Sequence, residues 1–150
     1  MGVGAPCVAR LADSAGARLE RLILDTSVLV AGERTGSNLD AVVADDDDVA
    51  IAAITAAELL VGVELASKGR RERRLAFVER ILGSVPVEVY DLVVARAHAS
   101  LLAYTHRAGV PRGAHDLIIA ATAVASDRIV VSSDAQAFDG LAGLRSRLVL

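Results

Sequence analysis

The chain has 150 residues, 53% of them apolar, a formal net charge of −3 and one cysteine. This length suits a single domain, and roughly 68–70% of the unfolded surface can be buried at such a size. Two Phe, two Tyr and no Trp argue against a base-stacking platform, a lone Cys7 cannot form an internal disulfide, and no run of about 18 uncharged apolar residues is present to span a bilayer.

Residues 1–20 are rich in Ala and Gly and weakly periodic. They read as an N-terminal extension, either a flexible arm or a short extra helix, ahead of a domain over 21–150. They lack the ordered basic, apolar and cleavage regions of a signal peptide, so a soluble cytoplasmic protein is expected. Residues 21–24 form a first strand that ends in Asp25. A short helix is expected over 38–44, then an Asp-rich turn and a second buried strand over 49–51. Thr55-Ala56-Ala57-Glu58 matches a capping box, which predicts a helix from Thr55 to about Ser67. A second helix follows Gly69, with Leu75, Val78 and Leu82 as its apolar stripe and Gly83 as its stop.

Residues 85–89 form a third strand whose Pro86 suits a sheet edge. A long helix over 93–108 ends at Gly109, and Val110-Pro111-Arg112-Gly113 is a turn. The helix over 114–125 is apolar on nearly all sides and so buried. Residues 129–131 are a fourth strand and 148–150 a fifth. Strands alternating with helices imply a parallel sheet with helices on both faces. Charge is polarised along the chain: Lys68, Arg70, Arg71, Arg73, Arg74 and Arg80 cluster on one helix, and five Asp lie between Asp40 and Asp48.

Asp25, Glu58, Asp116 and Asp134 each have an ordinary explanation. Glu58 completes the capping box, Asp116 favours its helix dipole, and Asp25 and Asp134 can cap the segments that come after them. Together they carry more weight. In a parallel sheet the strand exits share one edge, where α/β proteins bind ligands, and all four acids fall at such exits or at helix starts beside them. At ~5 Å and an effective dielectric near 20, each like-charge pair costs on the order of 3 kcal/mol. A cluster of that kind needs a cation or must hold protons, and hard oxygen ligands suit Mg²⁺ or Mn²⁺. Thr26, Ser27, Ser132 and Ser133 are short hydroxyls beside it, able to orient carboxylates.

The segments Leu22-Ile23-Leu24-Asp25-Thr26-Ser27, Ile54-Thr55-Ala56-Ala57-Glu58-Leu59, His115-Asp116-Leu117-Ile118-Ile119-Ala120-Ala121 and Val131-Ser132-Ser133-Asp134-Ala135-Gln136-Ala137-Phe138 resemble a PIN-domain protein. Among these they are most similar to the VapC-type ribonuclease toxins of bacterial toxin–antitoxin pairs. The resemblance covers Leu22 to the C-terminus. It departs at Ala137, where many relatives have an acid before the Phe. It implies a three-layer α/β/α fold around a parallel sheet of four to five short strands. It also implies an endoribonuclease that depends on Mg²⁺ or Mn²⁺ and uses an activated water to leave 5′-phosphate and 3′-hydroxyl ends.

By this resemblance the catalytic residues are Asp25, Glu58, Asp116 and Asp134. Asp25, Asp116 and Asp134 are the expected metal ligands, and Glu58 would hold a water or a second ion. By their place beside the acids, Thr26, Ser27 and Ser133 read as supporting hydroxyls and Arg112, four residues before Asp116, as an RNA contact; Arg70, Arg71, Arg73 and Arg74 read either as further phosphate contacts or as a solvated helix face. The partners implied are RNA, a small antitoxin and a second copy of the chain. Two other classes compete. A non-catalytic module of the same fold would only dock a partner. A haloacid-dehalogenase-like phosphatase needs a second acid two residues after the first, where Ser27 stands.

Overall fold

The computed structural model describes residues 19–36, 39 and 42–149. The expectations for the N-terminal extension fall outside these residues up to residue 18, as does part of the short helix expected over 38–44; of that helix only a turn is described, with Val42 N and Val43 N donating to Leu39 O. The elements in chain order are β1 (Arg21–Leu24), α1 (Thr26–Thr35), β2 (Asp48–Ala52), α2 (Ala53–Glu64), α3 (Lys68–Ser84), β3 (Val87–Glu88), α4 (Leu92–Ala108), α5 (Ala114–Ser126), β4 (Ile129–Ser132), α6 (Ala135–Phe138) and β5 (Ser146–Leu148).

All strand pairs are parallel, in the order β3-β2-β1-β4-β5. β1 is therefore central, and its Leu22, Ile23 and Leu24 are fully buried. A strand covered on both faces must be apolar on both faces, which accounts for a continuous run in place of alternation. Ile23 and Val130 face a core layer that includes Val94, Leu101, Leu117, Ile119 and Phe138. Leu22, Leu24, Ile51 and Val131 face the other, with Leu29, Leu59, Val63, Val78 and Ile81. The three layers and the five strands match the expected architecture.

Several element boundaries differ from the expectations. α1, which the sequence pattern did not mark, follows β1 directly and ends at Gly36 in the left-handed region, φ 63°. α2 begins at Ala53, with Ala52 in the N-cap position, because the apolar chain passes from β2 into the helix with no polar turn between them. Thr55 is therefore inside the helix and fully buried, its hydroxyl oxygen without a partner, and the capping box does not form. The buried stripe of α3 is Val78 and Ile81, whereas Leu75 is exposed. β5 lies two residues earlier than expected, paired from Val130↔Ser146 to Ser132↔Leu148. β3 is the sheet edge anticipated from Pro86.

Candidate active site

The carboxyl ends of β1 and β4 lie side by side. Leu24 is in register with Val131, so the next residues, Asp25 and Ser132, meet at the strand exits. Asp25 is 6% exposed. It occupies the N-cap position of α1 but accepts no capping bond. Instead its Oδ2 accepts from Ser27 Oγ and from Ser132 Oγ, both at 2.8 Å. Ser132 Oγ also receives Asp134 N at 3.0 Å, and Ser27 Oγ receives Ser133 N at 3.1 Å. A charged group held by two hydroxyls is bound more firmly than a neutral one.

The other three acids come from helix starts at the same edge. With no capping box, Glu58 stands in the second turn of α2, where its Oε1 accepts from Thr26 Oγ1 at 3.1 Å. Its Oε2 lies 3.7 Å from His115 Nδ1. Asp116 is in the first turn of α5. Asp134 caps α6, with Oδ1 accepting from Gln136 N at 2.9 Å and Ala137 N at 3.3 Å. The capping role and an open oxygen coexist in Asp134, since among the described residues nothing bonds to its Oδ2.

The four acids interact. Burial is the first cause that raises the Asp116 pKa above its ordinary value of 3.8; the charges of Asp25, Asp134 and Glu58 follow in that order, opposed by His115. Asp116 Oδ2 folds back over Gly113, only 2.6 Å from where a Cβ on that glycine would sit. Among the described residues no three Asp, Glu, His or Cys side chains are gathered closely enough to hold a metal ion between them. The chemistry of the donors nonetheless suits a hard cation: they are all carboxylate oxygens, the charges of the other three act on Asp116, and Asp25 Oδ1 and Asp134 Oδ2 lack hydrogen-bond donors among the described residues.

Of the expected hydroxyls, Thr26 and Ser27 contact the acids directly. Ser133 contributes its backbone N–H, and Ser132 supplies the side chain that reaches Asp25. The β1–β4 register decides between the two serines, because the residue abreast of Asp25 is the last one of β4. Arg112 has its Nη2 on the carbonyl of Asp139 at 2.7 Å. In the basic helix, Arg71 pairs with Glu64 and Arg74 with Glu33, while Arg70 and Arg73 are exposed and make no ion pair among the described residues.

Arg128, which the sequence pattern did not single out, is buried at the opposite edge of the sheet. It pairs with Asp48 at 3.0 Å and Glu88 at 2.9 Å, and donates to Leu22 O and Asp48 O.

A PIN-domain family model matches residues 22–144. Ribonuclease VapC from Rickettsia bellii is 30% identical over 104 residues, 69% of this chain and 77% of that protein. The tRNA(fMet)-specific endonuclease VapC of Shigella flexneri is 28% identical over 133 residues, 84% of this chain and 96% of that one. The crystal structure of VapBC-5 from Mycobacterium tuberculosis, a member of the VapBC family of toxin–antitoxin systems, superposes with a TM-score of 0.72. It is 32% identical and covers 86% of this chain and 98% of its own. By matched length, by identity and by fold, this chain belongs to the PIN-domain family, on its VapC ribonuclease branch.

Proposed function

We propose that the protein is a metal-dependent endoribonuclease acting as the toxin of a toxin–antitoxin pair, with Mg²⁺ or Mn²⁺ as its ion. The observation that carries this is that Asp25, Glu58 and Asp134, at the strand exits and the helix starts beside them, all act electrostatically on a half-buried Asp116. Asp25, Asp116 and Asp134 would hold the ion. When bound, it lowers the pKa of a coordinated water and polarises the scissile phosphate. Ser27 and Ser132 fix the Asp25 carboxylate so that only Oδ1 is left to turn outward. Thr26 does the same for Glu58, leaving Oε2 to accept a proton or orient a water, with the exposed His115 beside it. Ser133 orients Ser27 through its backbone. The relatives named as ribonuclease and tRNA endonuclease support RNA as substrate.

The VapBC-5 likeness supports a small antitoxin as partner. Leu60 and Val61 on α2, Leu65 just after it and Leu75 on α3 are exposed, a surface suited to that partner or to a second copy of the chain. No helix among the described residues is long and apolar enough to cross a membrane, and the proposed compartment is the cytoplasm. Incubation of purified protein with structured RNA in Mg²⁺, Mn²⁺ or EDTA tests the assignment. Cleavage should need the ion, leave 5′-phosphate ends and fall on the order of a hundredfold or more in Asp25→Asn, since several kcal/mol of charge stabilisation are lost. Cleavage that persists in EDTA or in Asp25→Asn would overturn it.

A further inference from the structure

α6 is four residues long. A helix of one turn has no stability of its own, yet this one carries Asp134 at its start. Ala137 and Phe138 anchor it in the core. Its exit is gripped from outside: Arg112 Nη2 donates to Asp139 O at 2.7 Å, and Tyr104 Oη donates to the next carbonyl, Gly140 O, at 3.3 Å. Arg112 stands four residues before Asp116, in the loop between α4 and α5. A cavity of about 330 Å³, lined by Leu102, Thr105, His106, Pro111 and Leu117, lies beside that loop, so packing alone does not immobilise it. The Arg112 Nε is buried without a partner, a desolvation cost that a side chain reaching into solvent for RNA phosphates would avoid.

We propose that Arg112, backed by Tyr104, is a positioning residue that locks the α6 segment carrying Asp134 to the loop that delivers Asp116, and so sets the spacing of two acids across the cleft. Only the activity arm of its test rests on the nuclease assignment. Mn²⁺ titration by calorimetry, RNA binding in EDTA, and kcat and KM are measured for wild type, Arg112→Ala, Arg112→Lys and Tyr104→Phe. Arg112→Ala should weaken Mn²⁺ binding and lower kcat by about tenfold each, with KM and RNA affinity in EDTA within about twofold. Arg112→Lys should restore most of the loss, because an ammonium can donate to the same carbonyl. Should Arg112→Ala fail to fold, Tyr104→Phe removes a single hydroxyl and is expected to weaken Mn²⁺ binding about two- to threefold. Unchanged Mn²⁺ affinity in the folded variants overturns the proposal. So does a loss of RNA affinity in EDTA with Mn²⁺ affinity intact, which would make Arg112 a phosphate contact. A wild type that binds Mn²⁺ but cuts no RNA refutes the nuclease assignment and leaves the Mn²⁺ comparison decisive for Arg112.

Discussion

Ser132 Oγ donates a 2.8 Å hydrogen bond to Asp25 Oδ2 across 107 residues of chain, joining the tips of β1 and β4. A hydrogen bond to a charged group contributes ~1.5–3 kcal/mol. Ser132→Ala is therefore expected to lower the denaturation midpoint and to reduce kcat about tenfold or more. Ser133→Ala, whose side chain makes no such bond, should change neither. Urea melts and single-turnover cleavage of both variants check the pair, and equal effects would contradict the assignment.

Asp116 titrates above its ordinary value of 3.8 in the folded protein, first through burial and then through its three acidic neighbours. Between the unfolded and folded pKa values the native state binds more protons than the unfolded chain, so stability falls as pH rises through that window. In EDTA the melting temperature should decline from pH 3.8 upward by a component that Asp116→Asn removes, leaving the variant more stable than wild type at neutral pH. Added Mn²⁺ should reverse the order by stabilising wild type alone. Parallel melts across pH with and without the ion test both signs.

Gly113 has φ −57° and ψ 140°, a conformation open to alanine. A methyl there nevertheless occupies the place of the Asp116 carboxylate. Gly113→Ala should leave the melting temperature within about 2 °C, a surface-like effect of under 0.5 kcal/mol, and reduce kcat and Mn²⁺ affinity. Unaltered cleavage would mean that the folded-back position of Asp116 has no bearing on the reaction.

Arg128 ties Leu22 of β1 and Asp48 of β2 to Glu88 of β3. Its Asp48 partner is held below the usual carboxylate pKa, chiefly by the hydrogen bond from Arg128 against a smaller opposing effect of burial. This contribution is present above the unfolded pKa and disappears as pH falls through the folded one. Arg128→Met should cost roughly 2–4 kcal/mol, less than a fully buried pair because the acids are part-exposed, while the folded fraction keeps wild-type kcat. Chemical melts with active-site titration would separate lost protein from lost catalysis.

The strand exits were legible because Leu22–Leu24 and Ile129–Val131 are apolar runs too short for helices, each followed within a few residues by an acid. Glu58 is legible as an acid at the right edge, but the capping box that its Thr-x-x-Glu spacing also suggests does not form, since spacing cannot reveal that β2 runs into α2 without a turn. Ser132 and Ser133 could not be told apart without the β1–β4 register. Arg112 and Arg128 bind carbonyls and acids that are distant in the chain, and nothing in their local context announces this. α1 escaped notice because Thr26-Ser27-Val28-Leu29-Val30 carries strand-favouring residues that core packing overrides.

The central strand closes on a neighbour made more than a hundred residues later. Until the ribosome has released that distant stretch, Asp25 has no Ser132 to hold it, and the site lacks Asp134. A polypeptide cut short anywhere before then lacks the assembled set of acids, so RNA cleavage is confined to nearly finished copies.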